Sequence, residues 1–148
     1  MKIYIGADHN GFQDKATLID YLRNLGHEVV DDGDRELDPD DDFPIFASNV
    51  ARSVLDEHSP DCKGILLCGS GQGVCMAANR FKGLRATLCW DEDEAASSRA
   101  DDDANILCLS SRKFDIESMK HLIDVWLDTP FAAEPRFIRR IEELDKLG

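Results

Sequence analysis

Residues 64–74, Gly64-Ile65-Leu66-Leu67-Cys68-Gly69-Ser70-Gly71-Gln72-Gly73-Val74, carry the decisive pattern. A short apolar run ends in a cysteine, and alternating glycines lead into a segment that can be helical. That is the pattern of a buried strand, a tight turn and a helix N-terminus. Gly69, Gly71 and Gly73 permit positive φ and close backbone approach, so successive N–H groups can point at one anion. A nucleotide-binding fingerprint is the obvious rival, and it fails on spacing. G-x-G-x-x-G needs a small residue where Val74 stands, and the Walker lysine with its following Ser/Thr is missing.

On the N-terminal side, Ile3-Tyr4-Ile5-Gly6-Ala7 is too continuous an apolar run for a half-exposed antiparallel strand. The polar cluster Asp8-His9-Asn10-Gly11 follows where that strand should end. Leu18, Leu22 and Leu25 have helical spacing over about 12–25, and Gly26 is a natural C′ residue. His27–Asp31 reads as a second strand. Between Asp31 and Asp42 lie eight acidic residues and one basic one, Arg35, which reads as a solvated loop. Its carboxylates lack the register of a calcium loop. Phe43, Phe46, Ala47, Val50, Ala51, Val54 and Leu55 mark one helical face, with Pro44 in the first turn.

On the C-terminal side, a helix is expected from about Gly73 to Phe81, a strand over Arg85–Trp90 and a helix from Asp91 towards Arg99. The acidic run 91–94 suits that helix's first turn. Asn105–Leu109 is the fifth strand. Ile116, Met119, Leu122, Ile123 and Trp126 line another helix, and a final one covers about 135–147. In it Phe137, Ile141 and Leu144 are expected to face inward, with Arg136, Arg139 and Arg140 as a basic cluster.

Strands and helices thus alternate, which calls for right-handed crossovers and helices on both faces of a parallel sheet. The expected fold is α/β, one domain over 1–148. It is a three-layer α/β/α sandwich, Rossmann-like, with five parallel strands in the order 2-1-3-4-5. In such sheets the ligand sits beyond the carboxyl ends of strands where the order reverses. Asp8-His9 and Cys68-Gly69-Ser70 lie at two such ends.

The balance of 17 basic and 30 acidic residues gives a net charge of −13. A surface of this kind repels nucleic acid and anionic membranes, so neither is expected as a partner. It leaves room for a phosphorylated metabolite held by local arginines and N–H groups. A chain of 148 residues buries roughly two-thirds of its unfolded surface and needs no metal or disulfide to fold. The cysteines Cys62, Cys68, Cys75, Cys89 and Cys108 form no CxxC pair and no zinc spacing, so reduced thiols are expected. The N-terminus enters a strand at once and no apolar run approaches a membrane span. A cytoplasmic location is the expectation.

Cys68 is the sharpest single residue, because a thiol before a glycine nest feels the positive potential of the turn. Taken alone, it also fits a small strand hydrophobe. Ser70, two residues on, can shuttle a proton between oxygens. His9 beside Asp8 can donate to a phosphate or act as an acid/base. Arg136 and Arg140, four apart on one helical face, suggest a bound phosphate, while pairing with Glu142 or Glu143 is the structural reading.

Together these segments resemble the ribose-5-phosphate isomerase B group, which includes galactose-6-phosphate isomerase subunits. The resemblance rests on Gly6-Ala7-Asp8-His9-Asn10-Gly11-Phe12, Asp42-Phe43-Pro44, Cys68–Gly73, Ala77-Ala78-Asn79-Arg80, Asn105-Ile106-Leu107, Ser111-Arg112, Thr129-Pro130-Phe131 and Arg136 with Arg140. It implies aldose–ketose isomerisation of a phosphorylated sugar through a cis-enediolate, with no metal and no cofactor. Cys68 matches the base that moves a proton between C1 and C2; other members use a glutamate where Val74 stands. N–H groups of Gly69, Gly71, Gln72 and Gly73 would hold the enediolate oxygen, and Ser70 would relay the hydroxyl proton. His9, Arg112, Arg136 and Arg140 match phosphate binders, and Asp8, Asn79 and Asp102 fall among the substrate-positioning residues. The resemblance also implies a homodimer or tetramer, with Arg112 and residues near Asp101 completing the partner's site.

One departure matters. Asp101 replaces the histidine that opens the furanose ring in this group, and Phe137 replaces another histidine. Asp101 could itself take the ring-hydroxyl proton. Alternatively the substrate is a sugar phosphate, such as a tetrose phosphate, that closes no such ring. A third account is a non-catalytic sugar-phosphate binder.

Overall fold

A computed structural model describes residues 1–147. Strand β3 (Cys62–Cys68) is buried at every residue and paired on both sides, as its unbroken apolar run requires. Its neighbours are β1 (Lys2–Ala7) and β5 (Ile106–Ser110); β2 (Glu28–Asp31) and β4 (Ala86–Leu88) form the edges. The helices are α1 (Phe12–Asn24), α2 (Phe43–Glu57), α3 (Gln72–Ala78), α4 (Glu92–Ala100), α5 (Ile116–Asp128) and α6 (Pro135–Leu144). The three-layer α/β/α sandwich with five parallel strands is as expected.

The strand order differs from expectation at one edge: it is β2-β1-β3-β5-β4, not 2-1-3-4-5. Burial explains the exchange. Every residue of β5 is buried, so it takes an inner place, whereas β4 has three half-buried residues and suits an edge. Asn79 covers that edge like a fragment of a further strand. Its Nδ2 donates to the Ala86 carbonyl and its Oδ1 accepts from the Ala86 N–H, both at 2.9 Å.

The order also decides which helices share a face. With right-handed crossovers, α1 and α4 both return toward the β2 side and lie on one face. Leu18, Leu22, Ala95, Met119, Ile123 and Trp126 join one core there. The advancing helices α2 and α3 lie on the other, where Ala47, Val50, Ala51, Val74 and Ala78 pack under the sheet. Under the expected order α4 would have joined α2 and α3.

Strand β4 and helix α3 are shorter than expected, and α6 stops at Leu144. Of the three α6 residues expected inward, Phe137 is buried and Ile141 half-buried, but Leu144 is 49% exposed. Ile141 and Leu144 border an open cavity that no described element covers. Ile138 and Leu147 are exposed as well. All five cysteines are free, and among the described residues no helix is long and apolar enough to cross a membrane.

The acidic loop is tied down at its start. Lys15 on α1 is 2% exposed, and its Nζ meets both Asp31 carboxylate oxygens at 2.8 and 2.9 Å and the Asp34 carbonyl at 2.6 Å. Lys15→Met should strand the Asp31 carboxylate and the Asp34 carbonyl. We expect it to lower stability in urea melts by about 2–3 kcal/mol, below the cost of fully buried pairs because Asp31 keeps solvent contact.

Candidate active site

The strand order reverses between β1 and β3, which run parallel, and the residues just beyond both strands meet there. The Asp8 N–H donates to the Leu67 carbonyl at 3.3 Å, which places Asp8 beside the end of β3. The Asp8 carboxylate is buried and accepts the Asn10 N–H at 2.9 Å, closing the turn after β1. Strand β5 ends alongside, with Ser110 paired to Cys68.

The glycine loop is held from several sides. The Ser111 N–H donates to the Cys68 carbonyl at 3.0 Å and the Arg112 N–H to the Gly69 carbonyl at 3.1 Å. The Ser110 hydroxyl donates to that same Gly69 carbonyl at 2.8 Å. The Arg112 guanidinium lies over Gly69 so closely that a Cβ there would meet its Nε at 2.8 Å. The resemblance assigns Arg112 to a partner's site; in the structure it packs on the loop of its own chain. On the other side the Phe43 ring covers Gly73, where a Cβ would lie 2.9 Å from Cζ.

Cys68 lies beneath this loop rather than at its lip, at 4% exposure. The cause is the backbone of Gly71, whose φ of 75° turns its N–H back onto the Cys68 Sγ at 3.1 Å. Burial pushes the thiols of Cys62, Cys89 and Cys108 up, which keeps them protonated and inert. A second expected anion donor is also engaged within the loop: the Gln72 N–H points at the half-buried Ser70 Oγ at 3.3 Å. Gly73 lies in the first turn of α3, where N–H groups have no intrahelical acceptor.

His9 is half-buried and bound by the end of the acidic loop. Asp41 Oδ1 takes the His9 N–H at 3.1 Å and lies 2.6 Å from the ring Nδ1. The hydrogen bond to Asp41 holds the ring's pKa above the ordinary histidine range; partial desolvation opposes it, and the charges of Asp8, Asp41 and Asp38 add to it. Reading residues 31–42 as a solvated loop therefore fails for Asp41. Asp8, His9 and Asp41 also each offer an atom within 4.8 Å of the others, a spacing that a metal ion could use.

The remaining expected residues gather elsewhere. Asp101 and Asp102 are exposed beyond the end of α4, and the Asp102 carbonyl accepts from Arg85, which precedes β4. With Asn79 and Arg140, Asp102 lines a cavity of about 400 Å³ beside β4. Arg136 is exposed, paired with Glu134 at 2.9 Å and stacked near the Phe137 ring. This group sits at the amino end of the sheet. Gly64 and Ala86 both pair with Ile106, and Cys68 lies four residues further along β3, about 13 Å away at the usual strand rise. A single chain therefore does not bring Asp101, Asp102, Arg136 or Arg140 to Cys68. Both polar ends of the Asn79 amide are taken by Ala86, so its place is in shaping the loop and edge.

Sequence reasoning missed Asp41, Phe43 and Ser110. Phe43 reads as an ordinary helix start, Ser110 lies just past the expected end of the fifth strand, and nothing distinguishes Asp41 from the other acids of its loop until that loop folds back.

A family model described as Ribose/Galactose Isomerase matches residues 3–144. The chain belongs to this family. It is 44% identical over 129 residues to a probable ribose-5-phosphate isomerase B of Mycoplasma pneumoniae, covering 87% of this chain and 84% of that protein. It is 36% identical over 143 residues to the ribose-5-phosphate isomerase B of Escherichia coli, covering 97% and 93%. Among solved structures, the ribose-5-phosphate isomerase B of Clostridium thermocellum superposes with a TM-score of 0.93 at 35% identity, covering 99% of this chain and 96% of that one. The Mycoplasma genitalium enzyme, solved with bound ribulose-5-phosphate, gives 0.92 at 39% identity, covering 98% and 94%. In the Ribose/Galactose Isomerase family, then, this chain presents a thiol under a glycine loop with Arg112, Asp8 and His9 around it.

Proposed function

We propose that the protein interconverts ribose 5-phosphate and ribulose 5-phosphate by proton transfer between C1 and C2. The observation that carries this reading is the Cys68 sulfur held against the Gly71 N–H at 3.1 Å, at the sheet's switch point. That contact sets the sulfur against the loop from which the substrate would be approached. In the open-chain aldose, Cys68 takes the C2 proton. The electron pair forms the C1–C2 double bond, and the carbonyl pair moves to O1. The protonated Cys68 then returns a proton to C1, while Ser70 relays the O2 hydroxyl proton to O1, leaving the ketone at C2. Loop N–H groups other than those of Gly71 and Gln72, which are engaged by Cys68 and Ser70, steady the transient negative oxygen, and one such donor is typically worth ~3 kcal/mol.

His9 and Arg112 supply charge for the phosphate from the same chain. Arg136, Arg140, Asp101 and Asp102 reach a Cys68 site only from a second copy, so the functional unit is a homodimer or a higher assembly with shared sites. The exposed Ile138 and Leu144 of α6 supply apolar surface for it. Mixing separately inactive Cys68→Ala and Arg140→Ala proteins should restore turnover through the hybrid's one intact site. No recovery on subunit exchange would refute sharing.

Isomerisation of ribose 5-phosphate in deuterium oxide tests the chemistry: solvent deuterium should enter the carbon-bound position. Turnover with full retention of the substrate hydrogen would overturn it. Asp101, in place of the ring-opening histidine, supports a second reading: an isomerase of a sugar phosphate that closes no furanose ring. Activity on erythrulose 4-phosphate with none on ribose 5-phosphate would decide for that reading. Tight binding with no proton exchange would instead mark a sugar-phosphate sensor.

A further inference from the structure

The acidic loop contributes one residue that the chemistry above does not use. Asp41 Oδ1 accepts from the His9 backbone N–H at 3.1 Å and lies 2.6 Å from the same residue's Nδ1. The Asp41 side chain is 6% exposed, so this carboxylate is committed to His9 rather than to water. One oxygen thus gathers the backbone N–H and Nδ1 of a single histidine, which fixes the ring's rotation and puts a proton on Nδ1. The other ring nitrogen, Nε2, lies 3.1 Å from Nδ2 of the exposed Asn10 side chain, which also reaches Asp8 Oδ2 at 3.4 Å, so the Asn10 amide must turn away before Nε2–H can meet an anion.

We propose that Asp41 is a positioning residue: it locks His9 with Nδ1–H bound to its own carboxylate and Nε2–H turned to the substrate's phosphate. The inference rests on the reading of His9 as a phosphate ligand. The acidic loop thereby takes part in the site, and a locally negative segment assists anion binding. A carboxylate one ring away from the phosphate keeps the imidazole charged, and the charged ring donates the stronger hydrogen bond. The charged groups acting on the ring are Asp8 from the turn after β1 and Asp38 and Asp41 from the loop. All three favour the proton, and the hydrogen-bonded Asp41 does so most directly. Since the ring's pKa is raised, its charge is complete below the ordinary histidine range and is lost as pH rises through the raised value. Substrate affinity should follow that loss.

The experiment compares wild type, Asp41→Asn, Asp38→Asn and His9→Gln. The His9 ring is titrated by NMR without ligand, and KM and kcat for ribose 5-phosphate are measured from about pH 6 to 9, the span over which a perturbed histidine titrates. In Asp41→Asn the His9 titration should move to lower pH. KM should rise about tenfold near neutral pH, as loss of a charge-assisted contact implies, with kcat at saturation changed less than about twofold. Asp38→Asn removes a charge but no bond to the ring and should do much less. In His9→Gln, adding Asp41→Asn should have no further effect on KM. An unchanged ring titration and KM–pH profile in Asp41→Asn would overturn the proposal. So would loss of wild-type activity to a chelator with recovery on adding a divalent cation, which would make the three residues metal ligands. If His9→Gln keeps the wild-type KM, the proposal falls, while persisting isomerase activity leaves the functional reading standing.

Discussion

Cys68→Ala should abolish isomerisation while leaving a folded protein. Removing a general base costs typically 10²–10⁴-fold in turnover, and the nearby Cys108 thiol is fully buried and held protonated, so it does not take over. The structural cost is smaller. The substitution deletes one buried atom and leaves the Gly71 N–H without its acceptor at 3.1 Å, a loss of about 1–3 kcal/mol. A rate loss of three decades corresponds to about 4 kcal/mol of transition-state stabilisation, so activity vanishes before the fold does. Cys68→Ser keeps an acceptor for the Gly71 N–H but offers a far weaker acid–base partner. It should therefore recover stability without recovering rate. The check is kcat for ribose 5-phosphate alongside urea midpoints for both variants. Undiminished turnover in Cys68→Ala would remove the thiol from the mechanism.

Gly71→Ala should damage both stability and turnover. The residue has φ 75°, and an added Cβ would sit 2.5 Å from Leu88 Cδ1 and 3.0 Å from the Leu109 carbonyl carbon. Leu88 can swing aside, but the β5 backbone cannot move without disturbing its pairing with β3. The left-handed conformation alone costs about 1–2 kcal/mol for a residue with a Cβ; with the clash we expect about 3 kcal/mol lost in urea melts. Relaxation carries the Gly71 N–H away from the Cys68 sulfur, and turnover should fall about 10²-fold or more, as loss of a preorganised donor does. Gly26→Ala is the matched control, because Gly26 also has positive φ, 89°, but nothing lies within 4 Å of its Cβ position. It should cost about 1 kcal/mol and leave turnover unchanged. Equal effects from the two substitutions would mean that backbone strain alone, with no contribution from loop geometry, explains Gly71.

Local pattern was enough for the layers. Continuous apolar runs at Ile3–Ala7, Ile65–Cys68 and Ile106–Leu109 demand burial on both faces, and leucines at helical spacing demand a partner layer. Chain direction then brings Asp8 and Cys68 to the same sheet end. The alternating glycines marked the loop, where Gly71 takes left-handed backbone and Gly69 and Gly73 leave room for Arg112 and Phe43. These inferences rest on periodicity and φ/ψ freedom, which neighbouring residues carry among themselves. Other features depend on which distant segments meet. The place of β5 inside β4 follows from competition between two short strands for an inner position, and a linear pattern ranks them weakly. Asp41 becomes distinct from the other acids of its loop only when Lys15 and Asp31 anchor one end and Phe43 closes over Gly73 at the other. The distance between Cys68 and the arginines of α6 is likewise set by how the last helix docks at the amino end of the sheet. Electrostatics and packing act through space, and residues far apart in sequence acquire such roles only once folding has placed them.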